Sequence, residues 1–176
     1  MEKKETIKSV SFIISGALLQ SLNRIGADWV TSILALFGIA IFLQGLNKLA
    51  QGLDKSGKKG VRLLISSMLV IIAGIIVAFI PYVGSIYFVV FIIAYMIELF
   101  GLIRLKESSS IGATGREGIT LLMIVVVLSI IQTLTVFIPY VGGIFGSISK
   151  IVSILLIFWG WIKILDGIID NTHSNN

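Results

Sequence analysis

The sequence predicts an all-α fold, a polytopic membrane protein of six transmembrane helices arranged as three parallel helical-hairpin repeats in a pseudo-threefold bundle. Three observations predict it. Hydrophobic residues make up 56% of the chain and charged residues 13%, with a mean hydropathy of +1.04, whereas soluble domains carry roughly 25% charge. Six segments reach the ~20 apolar residues that a bilayer core requires. The heptapeptides Phe79-Ile-Pro-Tyr-Val-Gly-Ser85 and Phe137-Ile-Pro-Tyr-Val-Gly-Gly143 recur 58 residues apart, and a fixed period determines architecture before single residues are considered. The whole chain, 1–176, is read as one transmembrane domain with hairpins at about 6–49, 61–105 and 118–167 and a polar tail at 168–176.

The first hairpin takes segments 6–22 and 28–49, separated by Asn23-Arg24-Ile25-Gly26-Ala27-Asp28. The start of the chain is basic, but the apolar stretch after it has no small-x-small cleavage site in a convincing place, so the first helix is expected to be retained. The second hairpin, 61–80 and 86–105, turns at Pro81-Tyr82-Val83-Gly84-Ser85; the third, 118–138 and 144–167, turns at Pro139-Tyr140-Val141-Gly142-Gly143. Proline stops an incoming helix because it lacks an N–H, and glycine permits the reversal. The connections 51–60 and 107–117 are polar instead. Gly57-Lys-Lys-Gly60 and Gly115-Arg-Glu-Gly118 occupy matching places in them, and the first is read as a basic anchor for anionic lipid headgroups rather than a phosphate loop.

At the far end, Gly45-Leu-Asn-Lys-Leu49, Gly101-Leu-Ile-Arg-Leu105 and Gly160-Trp-Ile-Lys-Ile164 share the pattern glycine, apolar, any, basic, apolar. All three hairpins carry it, so the first is a diverged third copy that has lost its proline. Each hairpin starts and finishes on one side, which makes the copies parallel. The formal charge of +5 gathers at the N-terminus, the polar connections and the adjoining helix ends, with Arg24 and Lys150 outside that pattern. This is the positive-inside signature, placing both termini in the cytoplasm of a cell whose inner membrane the chain spans. Trp29, Tyr82, Tyr87 and Tyr140 fall at the outer interface, and Trp159 and Trp161 toward the inner one.

The spacing Gly74 to Pro81 to Gly101 resembles the short repeat of the HdeD-type acid-resistance membrane protein family, which also has six helices in three hairpins. In the third copy Pro139 and Gly160 fit, with Gln132 in place of glycine; in the first, Gly16 and Gly45 fit without the proline. The resemblance implies a small inner-membrane protein linked to envelope or acid stress, and no catalytic residue.

The chain has no cysteine, and its one histidine, His173, sits in the polar tail. Thiolate and histidine chemistry are thereby excluded, and no cofactor, metal or enzymatic activity is expected. Ionisable groups cost roughly 2.5–3.5 kcal/mol at the bilayer centre on insertion scales, so each is a candidate site. Glu98 shares a helical face with Ala94 and Gly101, and Lys150 shares one with Gly143, Gly146, Ser147 and Ser153, so both are expected to face neighbouring helices. Lys150 and Gln132 lie at equal distances from Val141 and should oppose each other, with Thr133 facing Ser149 and Thr135 facing Ser147. Glu98, Gln132, Thr133, Thr135 and Lys150 thus form the candidate intramembrane polar site. Gly142-x-x-x-Gly146, Asp166 and Asp170 are read as packing and solvated helix end.

The leading functional reading is a non-enzymatic envelope protein with a structural, interaction or stress-related role. The alternative is permeation of a small solute, ion or proton through the polar interior of the third hairpin. The partners implied are the bilayer, its anionic headgroups at the cytoplasmic loops, and a second copy of the chain or another membrane protein; nucleic acid is not implied.

Overall fold

A computed structural model describes residues 3–25, 29–78, 86–135, 138 and 141–174. It contains six α-helices: α1 (Lys3–Ile25), α2 (Trp29–Gln51), α3 (Lys55–Ala78), α4 (Tyr87–Lys106), α5 (Ala113–Thr135) and α6 (Val141–Ser174). Among the described residues there is no strand. Four stretches, Lys55–Val77, Phe88–Lys106, Ala113–Thr135 and Phe145–Asn171, are long and apolar enough to cross a membrane. The turn from Phe79 to Ser85, most of that from Phe137 to Tyr140, and Gly26 to Asp28 lie outside the described residues.

Sequential helices pair most closely, α1 with α2, α3 with α4 and α5 with α6. Fewer contacts join α2 to α3 and α4 to α5, and α6 returns to α1, which closes the six helices into a ring. The pattern shared by the three even-numbered helices explains their packing. Its first, second and fifth residues are buried each time: Gly45, Leu46 and Leu49, then Gly101, Leu102 and Leu105, then Gly160, Trp161 and Ile164. The basic fourth residue stays partly or fully exposed in all three. The backbone of the preceding odd-numbered helix receives each glycine: Gly45 abuts Ile13 and the Ser9 carbonyl, Gly101 the Gly60 carbonyl, and Gly160 the Gly118 carbonyl beside Leu122.

Two expectations are corrected here. The Gly-Lys-Lys-Gly and Gly-Arg-Glu-Gly steps are helical, not loop: Gly57, Gly60, Gly115 and Gly118 are buried while the charged pair between each two points outward. The tail expected from 168 onward is also helical as far as Ser174, because its start is held in the bundle. Ile168 is buried, and the Gly112 amide donates to the Gly167 carbonyl at 3.1 Å.

The bundle is apolar on the outside. Leu36, Phe37, Ile151 and Leu155 are each more than 60% exposed, while Ser9, Ser67, Ser149 and Ser153 are buried. Water would make that arrangement costly at about 25 cal/mol per Å² of exposed apolar surface, and hydrocarbon removes the cost.

Candidate functional site

The five residues singled out in the sequence do not form one site. Glu98 lies on α4, partly buried, and lines a cavity at the centre of the ring. Gln132 meets α6 at Ser149, whose hydroxyl donates to the Gln132 Oε1 over a long 3.5 Å. Thr133 donates to the Ser129 carbonyl at 2.8 Å and Thr135 to the Gln132 carbonyl at 3.1 Å, both within α5. Hydroxyls satisfied by their own helix need no partner across the bundle.

Lys150 corrects the expectation. It is exposed, next to exposed Ile148, Ile151 and Val152, and does not face a neighbouring helix. The buried face of α6 here runs through Gly146, Ser149 and Ser153, one residue away in register and therefore about 100° around the helix. A lysine at such a position reaches toward headgroups along its aliphatic stem.

The central cavity measures about 190 Å³ and takes lining residues from all six helices. Its polar lining comprises Gln20 on α1, Tyr95 and Glu98 on α4, and Ser129 on α5. Its aromatic wall includes Phe42 on α2 and Trp161 on α6, whose rings meet edge to face with centroids 6.0 Å apart. The Nε2 of Gln20 is buried and has no hydrogen-bond partner among the described residues. Sequence reasoning missed Gln20 and Tyr95. The signal was present, since a glutamine inside an apolar segment is itself costly unless paired, but nothing local indicated that α1 and α4 share a centre.

A second polar cluster was missed as well. Asp54, in the connection before α3, accepts from the Gly57 amide (2.8 Å) and the Ser108 hydroxyl (2.7 Å) on Oδ1. Its Oδ2 accepts from the Ser109 amide (2.8 Å) and hydroxyl (2.7 Å), and its own amide donates to Ser110 Oγ at 3.0 Å. Asp54 therefore caps α3 and ties the 51–54 connection to the 107–112 connection. Burial pushes the Asp54 carboxyl up, but hydrogen bonds from Gly57, Ser108 and Ser109 outweigh it and hold the group well below the usual carboxylate range. Asn171 extends the tie to α6 by donating to the Ser109 carbonyl at 2.9 Å. Lys163 on α6 pairs with Glu117 on α5 at the same end.

Chemically, the cavity offers one carboxyl, one amide and two hydroxyls in an apolar chamber. Among the described residues no group of three His, Asp or Glu side chains stands close enough to hold a metal ion.

Fold and site together define an all-helical bundle of membrane type with a small, mostly apolar central chamber. Comparison with protein-family models, with curated proteins and with solved structures gave no match.

Proposed function

We propose that the chain is a non-enzymatic integral membrane protein of the cell envelope, its six helices crossing the inner membrane as three parallel hairpin repeats with both termini cytoplasmic. The role is structural or interactive. One observation carries the reading: the even-numbered helices bury the same three positions of a shared pattern, each with its glycine against the backbone of the helix before it, in a ring whose outer surface is apolar. Such close backbone approach is how helices associate where lipid removes the hydrophobic drive. The resemblance to the HdeD-type family supports the same arrangement and adds a link to envelope or acid stress.

The native chain lacks cysteine, so single substitutions report topology without background. Ala27→Cys, Ser85→Cys and Gly143→Cys should react with a membrane-impermeant maleimide on intact spheroplasts, while Lys58→Cys and Arg116→Cys should react only after permeabilisation. Labelling from the opposite side at any of these positions overturns the six-span reading. Permeation through the third hairpin is the second reading, resting on Gln132 and Ser149. In proteoliposomes we expect proton and anion flux equal to that of empty vesicles; flux abolished by Lys150→Met would reverse the preference.

A further inference from the structure

We propose that the groove between α5 and α6 seats one anionic phospholipid of the cytoplasmic leaflet, its acyl chain along Leu121, Leu155, Phe158 and Trp159 and its phosphate at Lys106 and Lys163. The inference rests on the membrane-spanning reading above. The groove, about 590 Å³, is apolar toward one end and charged at the other. Leu155, Phe158 and Trp159 on α6 line it and are each more than 40% exposed, and Leu121 on α5 lines it as well. Lys163 lies eight residues beyond Leu155, about 12 Å along the helix axis. A chain-shaped apolar occupant with a polar head matches that division.

The polar end is built from three helices. Lys163 on α6 pairs with Glu117 on α5, and Lys106 on α4 donates to the Thr120 hydroxyl at 2.9 Å. Glu117, Thr120 and Lys163 all line the groove. Arg116, exposed, precedes Glu117, and Asp166, also exposed, lies one turn beyond Lys163. Three cations set against two carboxylates leave one positive charge at this end even with the ion pair formed, and one phosphodiester neutralises it. Headgroups lie at the depth where tryptophan and basic side chains gather, as Trp159 and Lys163 do here. A neighbouring helix fits less well. Helices in membranes meet through small residues that let their backbones approach, as Gly101 and Gly160 do inside the bundle, whereas the lining of this groove contains neither glycine nor alanine.

The test titrates full-length protein in detergent with phosphatidylglycerol, and with phosphatidylcholine of the same acyl chains, and counts lipid adducts by native mass spectrometry. One phosphatidylglycerol per chain should be retained at least about fivefold more tightly than phosphatidylcholine, the factor that one basic residue contributes at a headgroup. The double variant Lys106→Gln, Lys163→Gln should lose that preference. The double variant Lys58→Gln, Lys59→Gln, altered at exposed lysines on α3, should keep it. Glycerol 3-phosphate at millimolar concentration should not displace the lipid, because it lacks the acyl chain. Equal retention of the two lipids overturns the proposal, as does a preference that survives loss of Lys106 and Lys163 or disappears with Lys58 and Lys59. Displacement by glycerol 3-phosphate overturns it too, and a dimer that retains no lipid does so in favour of a second copy of the chain. Should the Lys106, Lys163 variant fail to fold, the two lipids and the α3 variant decide. Labelling of Arg116→Cys from the outer side would sink the six-span reading itself, whereas correct labelling without a lipid preference sinks the groove alone.

Discussion

Gly60 and Gly101 lie backbone to backbone: a Cβ on Gly60 would stand 2.7 Å from the Gly101 carbonyl oxygen, and a Cβ on Gly101 would stand 3.0 Å from the Gly60 carbonyl oxygen. Backbone has no rotamer with which to yield, so Gly60→Ala must separate α3 from α4. Overpacking of this kind costs typically 1–3 kcal/mol. We expect Gly60→Ala to lower the unfolding free energy in mild detergent by that amount, and a Gly60→Ala stability equal to the native one would refute the close crossing.

Gly146 supplies the opposite case. A Cβ there meets the Gln132 Nε2 at 3.6 Å, an ordinary contact with the end of a flexible side chain. Alanine is favoured over glycine in a helix by about 0.8–1.0 kcal/mol. Gly146→Ala is thus expected to raise stability by about 0.5–1 kcal/mol in the same assay, and a clear loss would show that α5 and α6 approach more closely than described.

Ser108 is fully buried and donates to a carboxylate. Removing one partner of such a bond costs about 1.5–3 kcal/mol. Ser108→Ala should therefore destabilise the bundle by about 2 kcal/mol and speed hydrogen exchange at the Gly57 amide, which shares the same carboxylate oxygen. Unchanged exchange at Gly57 would separate the cap from the clamp.

The same carboxylate sets an acid dependence. Its folded pKa is depressed below the ordinary 3.8, so the unfolded chain takes up the proton first as pH falls. The stabilisation from Asp54 is complete above the unfolded value, declines as pH drops below about 3.8, and is gone once the folded carboxyl itself protonates. Asp54→Asn should be less stable than the native chain at pH 7, with the gap narrowing below pH 4. A gap that widens in acid would reverse the sign of this argument.

Lys150 is exposed on the apolar surface of α6. Surface substitutions away from special features change stability by no more than about 0.5 kcal/mol, and Lys150→Met should do so here. A loss of several kcal/mol would place the ammonium group in an interior contact after all.

Composition and period were enough to determine that the chain folds as helices of membrane length, and the pattern around Gly45, Gly101 and Gly160 was enough to mark their packing faces. Both signals are local: glycine next to an apolar residue, with another one turn on, buries the same three positions in each helix. The capped start of α3 was not read from the sequence, because Asp54 is fixed as a clamp by Ser108 and Ser109, more than fifty residues away. Tertiary structure alone decided how each helix is turned about its axis. Around Lys150 the small residues Gly143, Gly146, Ser147, Ser149 and Ser153 surround the helix on several sides, so periodicity allowed more than one packed face, and the expectation took the one that includes Lys150. The close approach of α6 to α5 through Gly160 and Gly167 chose the face of Ser149, leaving Lys150 outside. The same kind of non-local choice brought Gln20 and Glu98, from different hairpins, onto one cavity.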